Sequence, residues 1–283
     1  MESTANQKNR KPDIVIQPGK GLLSLDLRAI WEHRELLVFL IWRDVKVRYK
    51  QTAIGASWAI LQPVLTMVIF TIIFGTFAKI PSDGIPYPLF AYSALLPWTF
   101  FAQAFGRIGN SVVNQRHLIT KIYFPRLILP LAATGSPALD FLLSFSVLFI
   151  LMGWYGVYPP WWSIVILPFF ILFLLISALA VGLWLAPLNV KYRDISFTIP
   201  FLIQIWMYCS PVVYPISLVP GKWRMIYSLN PMAGVIEGFR WALLGKESPA
   251  FGAMAISVGV IILILLGGIV FFKRMERNFA DII

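Results

Sequence analysis

The chain has 283 residues, 58% of them hydrophobic and only 13% charged, with a formal net charge of +11 and a mean hydropathy of +0.75. Soluble domains carry about 25% charged residues, so the composition argues against a soluble enzyme. The 22 Phe, 11 Trp and 10 Tyr exclude a solvated coil, and the single cysteine, Cys209, excludes an internal disulfide.

Met1 to Lys20 is polar and lacks the apolar centre of a signal peptide. Residues 1–24 are expected to form a mobile cytoplasmic N-terminus. In residues 25–52, Leu36, Leu37, Phe39, Leu40, Ile41 and Trp42 alternate with Arg34, Glu35, Arg43, Asp44, Lys46, Arg48 and Lys50. Charges interrupt this stretch too often for a span. It reads as an amphipathic helix on the membrane surface, with Trp31 and Trp42 at headgroup depth among the membrane lipids. A solvated helix packed on a partner protein is the competing reading.

Six spans are expected between residues 53 and 272, each close to the roughly 20 apolar residues a bilayer demands. They are Ala53 to Ala78, Pro88 to Phe105, Leu127 to Gly153, Ser163 to Ala186, Phe197 to Tyr214 and Ala250 to Phe272. Pro231 to Gly245 is apolar but carries Glu237 and Arg240. As a helix it reaches only about 22 Å, against a hydrocarbon core of about 30 Å. It reads as a re-entrant or surface helix. Residues 273–283 form a basic tail. The predicted fold class is therefore an all-α polytopic membrane protein.

Charge fixes the expected sidedness. Nineteen of the 24 Lys and Arg residues precede span one, follow span six, or lie between spans two and three or four and five. Lys and Arg collect on the cytoplasmic side, so both termini belong there and the number of spans is even. In a membrane protein the positive charge reports orientation, and no nucleic-acid partner is expected. No internal repeat or low-complexity segment is visible.

No G-x-x-x-x-G-K-[ST] phosphate loop exists in the chain, so it is not expected to be an enzyme or to hold a nucleotide itself. Two His and one Cys make no zinc site; no metal is expected. Asp140 is the one acid placed clearly inside a span. It reads either as a cargo or proton contact, or as a structural acid paired with an Arg or a hydroxyl, such as Ser136 or Ser144, on the same or a neighbouring helix. The first option would suit a proton-coupled secondary transporter.

The segment Arg107 to Arg126 mixes polar and apolar residues at helical spacing. A short helix there would expose Arg116, His117 and Lys121 and bury Val113 and Ile119. Leu118, Ile119, Ile122, Tyr123 and Phe124 also need cover from a partner or the membrane. The run Asn114-Gln-Arg-His-Leu-Ile-Thr-Lys-Ile-Tyr-Phe-Pro-Arg126 resembles the permease subunits of ABC-2 type exporters for polysaccharides and polyol phosphates. Further pieces follow in order: Trp42-Arg-Asp-Val-Lys-Val-Arg-Tyr-Lys-Gln-Thr52, Gly55-Ala-Ser-Trp-Ala-Ile-Leu-Gln-Pro63, Pro86-Tyr-Pro88, Leu96-Pro-Trp98, Leu188-Asn-Val-Lys-Tyr-Arg-Asp194, Ser210-Pro-Val-Val-Tyr-Pro215, Leu229-Asn-Pro-Met232 and Glu237-Gly-Phe-Arg240.

The resemblance implies a homodimer in the bacterial cytoplasmic membrane, joined by two separate ATPase subunits that bind ATP and Mg. The cargo would be a lipid-linked glycan of the O-antigen, capsule or teichoic acid kind. Arg116, His117, Leu118, Ile119 and Lys121 would dock on the ATPase, with Arg34 and Glu35 of the interfacial helix nearby. Residues 215–245 would close the outer end, with Glu237 and Arg240 either a structural ion pair or a gate. Trp98, Phe100, Phe101, Tyr208 and Tyr214 are candidates to line the glycan path, since aromatic side chains offer apolar faces with polar tips; the ordinary aromatic belt is the alternative. Arg43, Arg48 and Lys50 are candidates to meet a pyrophosphate linker, or simply anionic lipid. A scaffold subunit in a glycan-synthesis complex is a third reading of the chain.

Overall fold

The computed structural model describes residues 27–50, 57–245, 248–277 and 279. The expected N-terminal segment 1–24 and residues 278 and 280–283 of the tail lie outside the described residues. Long unbroken apolar runs leave no polar period for strands, and among the described residues every regular element is helical.

Two helices come first, α1 (Leu27–Glu32) and α2 (Arg34–Lys50), divided by a turn at His33. Then α3 (Ser57–Phe70) carries Pro63 internally and widens into π-helical turns over Thr71–Phe77. Pro63 removes one backbone donor, and a proline ring commonly kinks its helix. Thr66 Oγ1 donates to the Gln62 carbonyl at 2.9 Å in the same stretch. Next come α4 (Tyr87–Asn114), α5 (Arg116–Ile119), α6 (Ile128–Ala133), α7 (Gly135–Trp154) and α8 (Ser163–Lys191). The chain closes with α9 (Ile195–Tyr208), α10 (Gly221–Tyr227), α11 (Pro231–Leu244) and α12 (Phe251–Glu276).

Four stretches are long and apolar enough to cross a membrane: Ser57–Phe77, Ile128–Trp154, Ser163–Lys191 and Phe251–Glu276. They coincide with four of the six expected spans. The other two differ from expectation in instructive ways. Helix α4 runs on to Asn114, well past the expected end at Phe105, and at about 42 Å it is long enough but less apolar. It packs against α3, α6, α7, α8, α9 and α11, so it touches protein where the others face outward. Polar groups are therefore tolerated along it: Tyr92 Oη donates to the Ser144 carbonyl at 3.0 Å, and Asn110 Nδ2 to the Gly106 carbonyl at 2.8 Å.

The expected fifth span, Phe197 to Tyr214, is helical only to Tyr208. Pro211 cannot donate a helical hydrogen bond and disfavours helix at Ser210 before it. The chain turns there, with the Val212 amide donating to the Ser210 carbonyl at 2.7 Å. Helix α11 spans 14 residues, about 21 Å. It is buried on nearly every side, so it is an interior element and not a surface helix. Asn230 caps it by accepting from the Met232 amide at 3.0 Å, Pro231 opens it, and Gly245 ends it in the left-handed region at φ 65°.

Two apolar clusters hold the helices. The larger is built from α4, α7, α8, α11 and the inner face of α12, around Phe90, Phe101, Phe141, Phe170 and Phe239. The smaller gathers Leu40, Val112, Ile119, Phe124, Ile128, Leu183, Ile269, Phe272 and Phe279. It ties α2, α5 and α6 to the C-terminal ends of α4, α8 and α12.

Close packing of α11 on α8 depends on Gly238, because a Cβ there would overlap the Phe170 ring. Gly238→Ala is expected to lower stability by about 1–3 kcal/mol through overpacking, read as a reduced thermal midpoint in detergent. Gly153→Ala, where a Cβ meets open space, is expected to leave it unchanged.

Candidate coupling face and polar cavity

The polar side of α2 is where its charges find partners. Arg48 pairs with Asp140 of α7, and Tyr49 donates a short hydrogen bond to the same carboxylate. Arg48 also donates to Gln103 Oε1 of α4 at 3.2 Å. Burial, then the bond to Asp140, pushes the Tyr49 phenol up to about 12, so it remains a donor through any physiological pH. The Arg107 guanidinium of α4 adds a further positive charge to this neighbourhood. Asp140 is thus paired with an arginine and a phenol. Neither Ser136 nor Ser144 is its partner; Ser144 Oγ donates instead to the Ala59 carbonyl at 2.8 Å.

One turn earlier, Arg43 pairs with Asp44 at 2.8 Å and donates to Gln115 Oε1 at 3.1 Å. Gln115 is the residue immediately before α5, so a side-chain bond runs from α2 to the short helix. In α5 and just after it, Arg116, His117 and Lys121 are exposed while Ile119 and Phe124 are buried. Leu118 is half-buried and packs with Leu36, Leu37 and Leu40 of α2 on the smaller cluster. Ile122 and Tyr123 remain exposed. Val113 differs from expectation: it is exposed, because α4 continues through it and turns its inner face onto Val112 and Ile108. Arg34 and Glu35 are exposed at the start of α2, Arg34 lying 5.6 Å from the Trp31 ring. Helix α2 is not simply two-faced, since Val38, Phe39, Trp42 and Val47 form a second apolar surface open to its surroundings.

Burial divides the aromatic path candidates. Trp98, Phe100 and Phe101 are all interior. Phe101 stacks on Phe105 and meets Trp206 edge-on at 5.2 Å, and Phe100 meets Phe141 at 5.7 Å. These rings pack in the interior of the chain. Tyr208 is exposed, whereas Tyr214 is half-buried and bonded to Tyr227 Oη at 2.9 Å and the Tyr208 carbonyl at 3.0 Å. Among the cationic candidates, Arg43 and Arg48 are engaged with carboxylates, and Lys50 is exposed.

Glu237 and Arg240 do pair, at 3.4 Å on one face of α11. Arg240 also donates to the Val212 carbonyl at 3.1 Å and lies 3.6 Å over the Phe90 ring. Both line a cavity of about 660 Å³ bounded by α10, α11 and the start of α12. Several other residues join distant segments. Tyr87 donates to the Val213 carbonyl at 2.8 Å. Asn230 accepts from Trp206 Nε1 at 2.8 Å and donates to the Cys209 carbonyl at 2.8 Å. Asn189 donates to the Gly109 carbonyl at 3.0 Å. Nothing in the sequence pairs these residues, although each lies in a short motif.

The sequence profile of the ABC-2 type transporter family matches residues 35–244, from α2 to the end of α11. The chain belongs to the ABC-2 type transporter family. Its relatives include the O-antigen export system permease protein RfbA of Myxococcus xanthus, 29% identical over 259 residues that cover 90% of this chain and 98% of that one. The polysialic acid transport protein KpsM of Escherichia coli is 20% identical over 84% of this chain and 92% of its own. An inner membrane transport permease of Escherichia coli, YadH, is 25% identical over 72% and 84%. In this ABC-2 chain the matched stretch takes in both the α2–α5 face and the Glu237–Arg240 pair.

The Arg48–Asp140 pair is open to a double-mutant cycle. Removing one partner of a buried pair costs about 3–5 kcal/mol; with Arg48 still 25% exposed, Arg48→Ala is expected near the lower figure. The double variant Arg48→Ala/Asp140→Ala should lose clearly less than the two singles added, measured by chemical unfolding in detergent. Strict additivity would contradict the pairing.

Proposed function

We propose that this chain is the permease subunit of an exporter that moves a lipid-linked polysaccharide across the bacterial cytoplasmic membrane, powered by ATP hydrolysis in a separate partner. The relatives named for O-antigen export and polysialic acid transport support the cargo class. The observation that carries the coupling role is the turn at Arg116–Lys121. Its basic residues are exposed on a base of buried Ile119 and Phe124, and it shares an apolar cluster with α2. A short helix seated this way transmits a push to the elements beneath it, as mechanical coupling through discrete packed parts requires. Arg34 and Glu35 lie on the same helix as its neighbours in that cluster.

The reading takes the permease as a homodimer with two ATPase subunits, which hold ATP and Mg. Six crossings are supported by the chain's path. Ile41 approaches Gly135 at the start of α7, and Arg126 bonds Glu276 at the end of α12, so these termini share one end of the bundle. Tyr87, Val213, Arg240 and the start of α12 meet at the other end. On this reading α3, α4, α6 with α7, α8 and α12 make five crossings, and α9, itself only 14 residues long, makes the sixth together with the turn after it. The excess of Lys and Arg assigns the α2–α5 end to the cytoplasm, with both termini there. Helix α11, too short to span, is then a re-entrant element at the outer end. In domain terms the transmembrane unit is 53–272, preceded by the interfacial helix 25–52 and a cytoplasmic segment 1–24, with 273–283 as a cytoplasmic tail.

A proton-coupled carrier built on Asp140 finds less support. Its carboxylate is held by a guanidinium and a phenol, whereas a proton carrier needs an acid free to load and release.

The test is the triple variant Arg116→Ala/His117→Ala/Lys121→Ala. It is expected to leave the permease folded and dimeric while glycan export falls at least tenfold relative to ATP hydrolysed. Unchanged export per ATP would remove the coupling role from this turn.

A further inference from the structure

The turn at Arg116–Lys121 joins the bundle at both of its ends. Its leading end is held by the Arg43–Gln115 bond to α2. Its trailing end runs into α6 through residues 122–125, which form no helix. A free connector of this kind would swing when the turn is pushed, and the push would go no further, since coupling is carried by packed or bonded parts.

Two hydrogen bonds pin that connector to the end of α12. The Arg126 guanidinium donates to the Glu276 carbonyl, and the Arg126 amide donates to Glu276 Oε1 at 3.2 Å. The exchange is reciprocal, and helix-end chemistry explains it. The last carbonyls of a helix lack an internal partner, and a basic side chain is a suitable donor to them. Glu276 closes α12, so its carbonyl is one of these. The Arg126 amide lies just before α6, outside any helical ladder, and the Glu276 carboxylate supplies its acceptor. Among the described residues, these are the hydrogen bonds that join residues 115–126 to α12.

Apolar contacts reinforce the clasp. The Phe279 ring is fully buried, meets Phe272 edge-on at 5.6 Å and lies 5.7 Å from the Arg126 guanidinium. Phe124 of the connector is buried in the same cluster.

The helices themselves are held by other means. Helix α12 packs on α8 and α11, and α6 packs on α2, α4, α7 and α8. What the clasp adds is a fixed position of the connector relative to α12. A push on the turn is then delivered to α12 as well as to α6 and α7.

We propose that Glu276 and Phe279 are positioning residues for coupling. Through Arg126 and Phe124 they hold the trailing end of the turn against α12, so that movement of the ATPase reaches this helix. The proposal rests on the exporter reading and adds to it the route by which α12 is driven.

The experiment reconstitutes the full chain with the ATPase encoded beside it and measures ATPase binding, ATP hydrolysis and glycan export separately. Glu276→Ala removes the acceptor of the Arg126 amide. It is expected to bind the ATPase and hydrolyse ATP as the wild type does, while glycan exported per ATP falls by about threefold to tenfold, the scale of coupling change that such contacts produce. Glu276→Gln keeps an acceptor oxygen in the same place and is expected to restore the ratio. A contact that served stability alone would lower the thermal midpoint and leave the ratio of the folded protein unchanged. Phe279→Ala, read in the same way, decides the matter if Glu276→Ala does not fold. An unchanged ratio in folded Glu276→Ala, an equal loss in Glu276→Gln, or loss of ATPase binding would overturn the proposal. A wild-type chain that exports nothing with ATP overturns the exporter reading and this role with it. Wild-type export beside an unchanged ratio in Glu276→Ala overturns the positioning role alone.

Discussion

Asp140 stands in a helix made to face lipid, where an unpaired carboxylate would be among the most costly groups a membrane protein can bury. Arg48 and Tyr49 reach it from α2, and the arrangement of the α2–α5 end follows from that contact. It fixes a charged surface helix against the bundle at one point, with Arg48 extending the tie to Gln103 of α4. Arg43 then carries it on through Gln115 to α5. The exposed basic turn is therefore not an isolated loop. Its position is referred, through two arginines, to helices that run the length of the molecule.

The other end is organised by different chemistry. Proline-bearing turns interrupt the helices there, and freed carbonyls must find donors. Tyr87, Asn230 and Arg240 provide them, to Val213, Cys209 and Val212 respectively. The short α11 can then sit wholly inside the protein, capped at both ends, with its ion pair facing a polar cavity. One end of the bundle is tied by charge to α2 and the other by hydrogen bonds to the buried α11.

Much of this was legible in the sequence because hydropathy reports contact with lipid. The runs that became α3, α7, α8 and α12 were readable for that reason. Helix α4 was found but cut short, since its Arg107 and Asn110 look like loop residues until neighbouring helices are seen to cover them. Aromatic side chains look alike in sequence whether they line a path or fill a core, so the interior positions of Trp98, Phe100 and Phe101 needed the structure. Its place in a span made Asp140 either a cargo or proton contact or an acid in need of an Arg or hydroxyl partner. That the cation was Arg48, 92 positions away by numbering, depended on packing that no local pattern encodes. The motifs around Asn230, Tyr87 and Asn189 were visible as words, but their partners were not, because each bonds a backbone carbonyl and carbonyls have no sequence signature.

The most direct test of the account is reconstitution. The chain is purified with the ATPase encoded beside it, placed in sealed vesicles carrying the lipid-linked glycan, and supplied with ATP on the α2–α5 side. The account predicts a complex of two permeases and two ATPases in which glycan crosses the membrane only while ATP is hydrolysed, undisturbed by collapse of the proton gradient. Failure of any ATPase to bind a folded permease, or transport that stops when the proton gradient is dissipated while ATP persists, would contradict it.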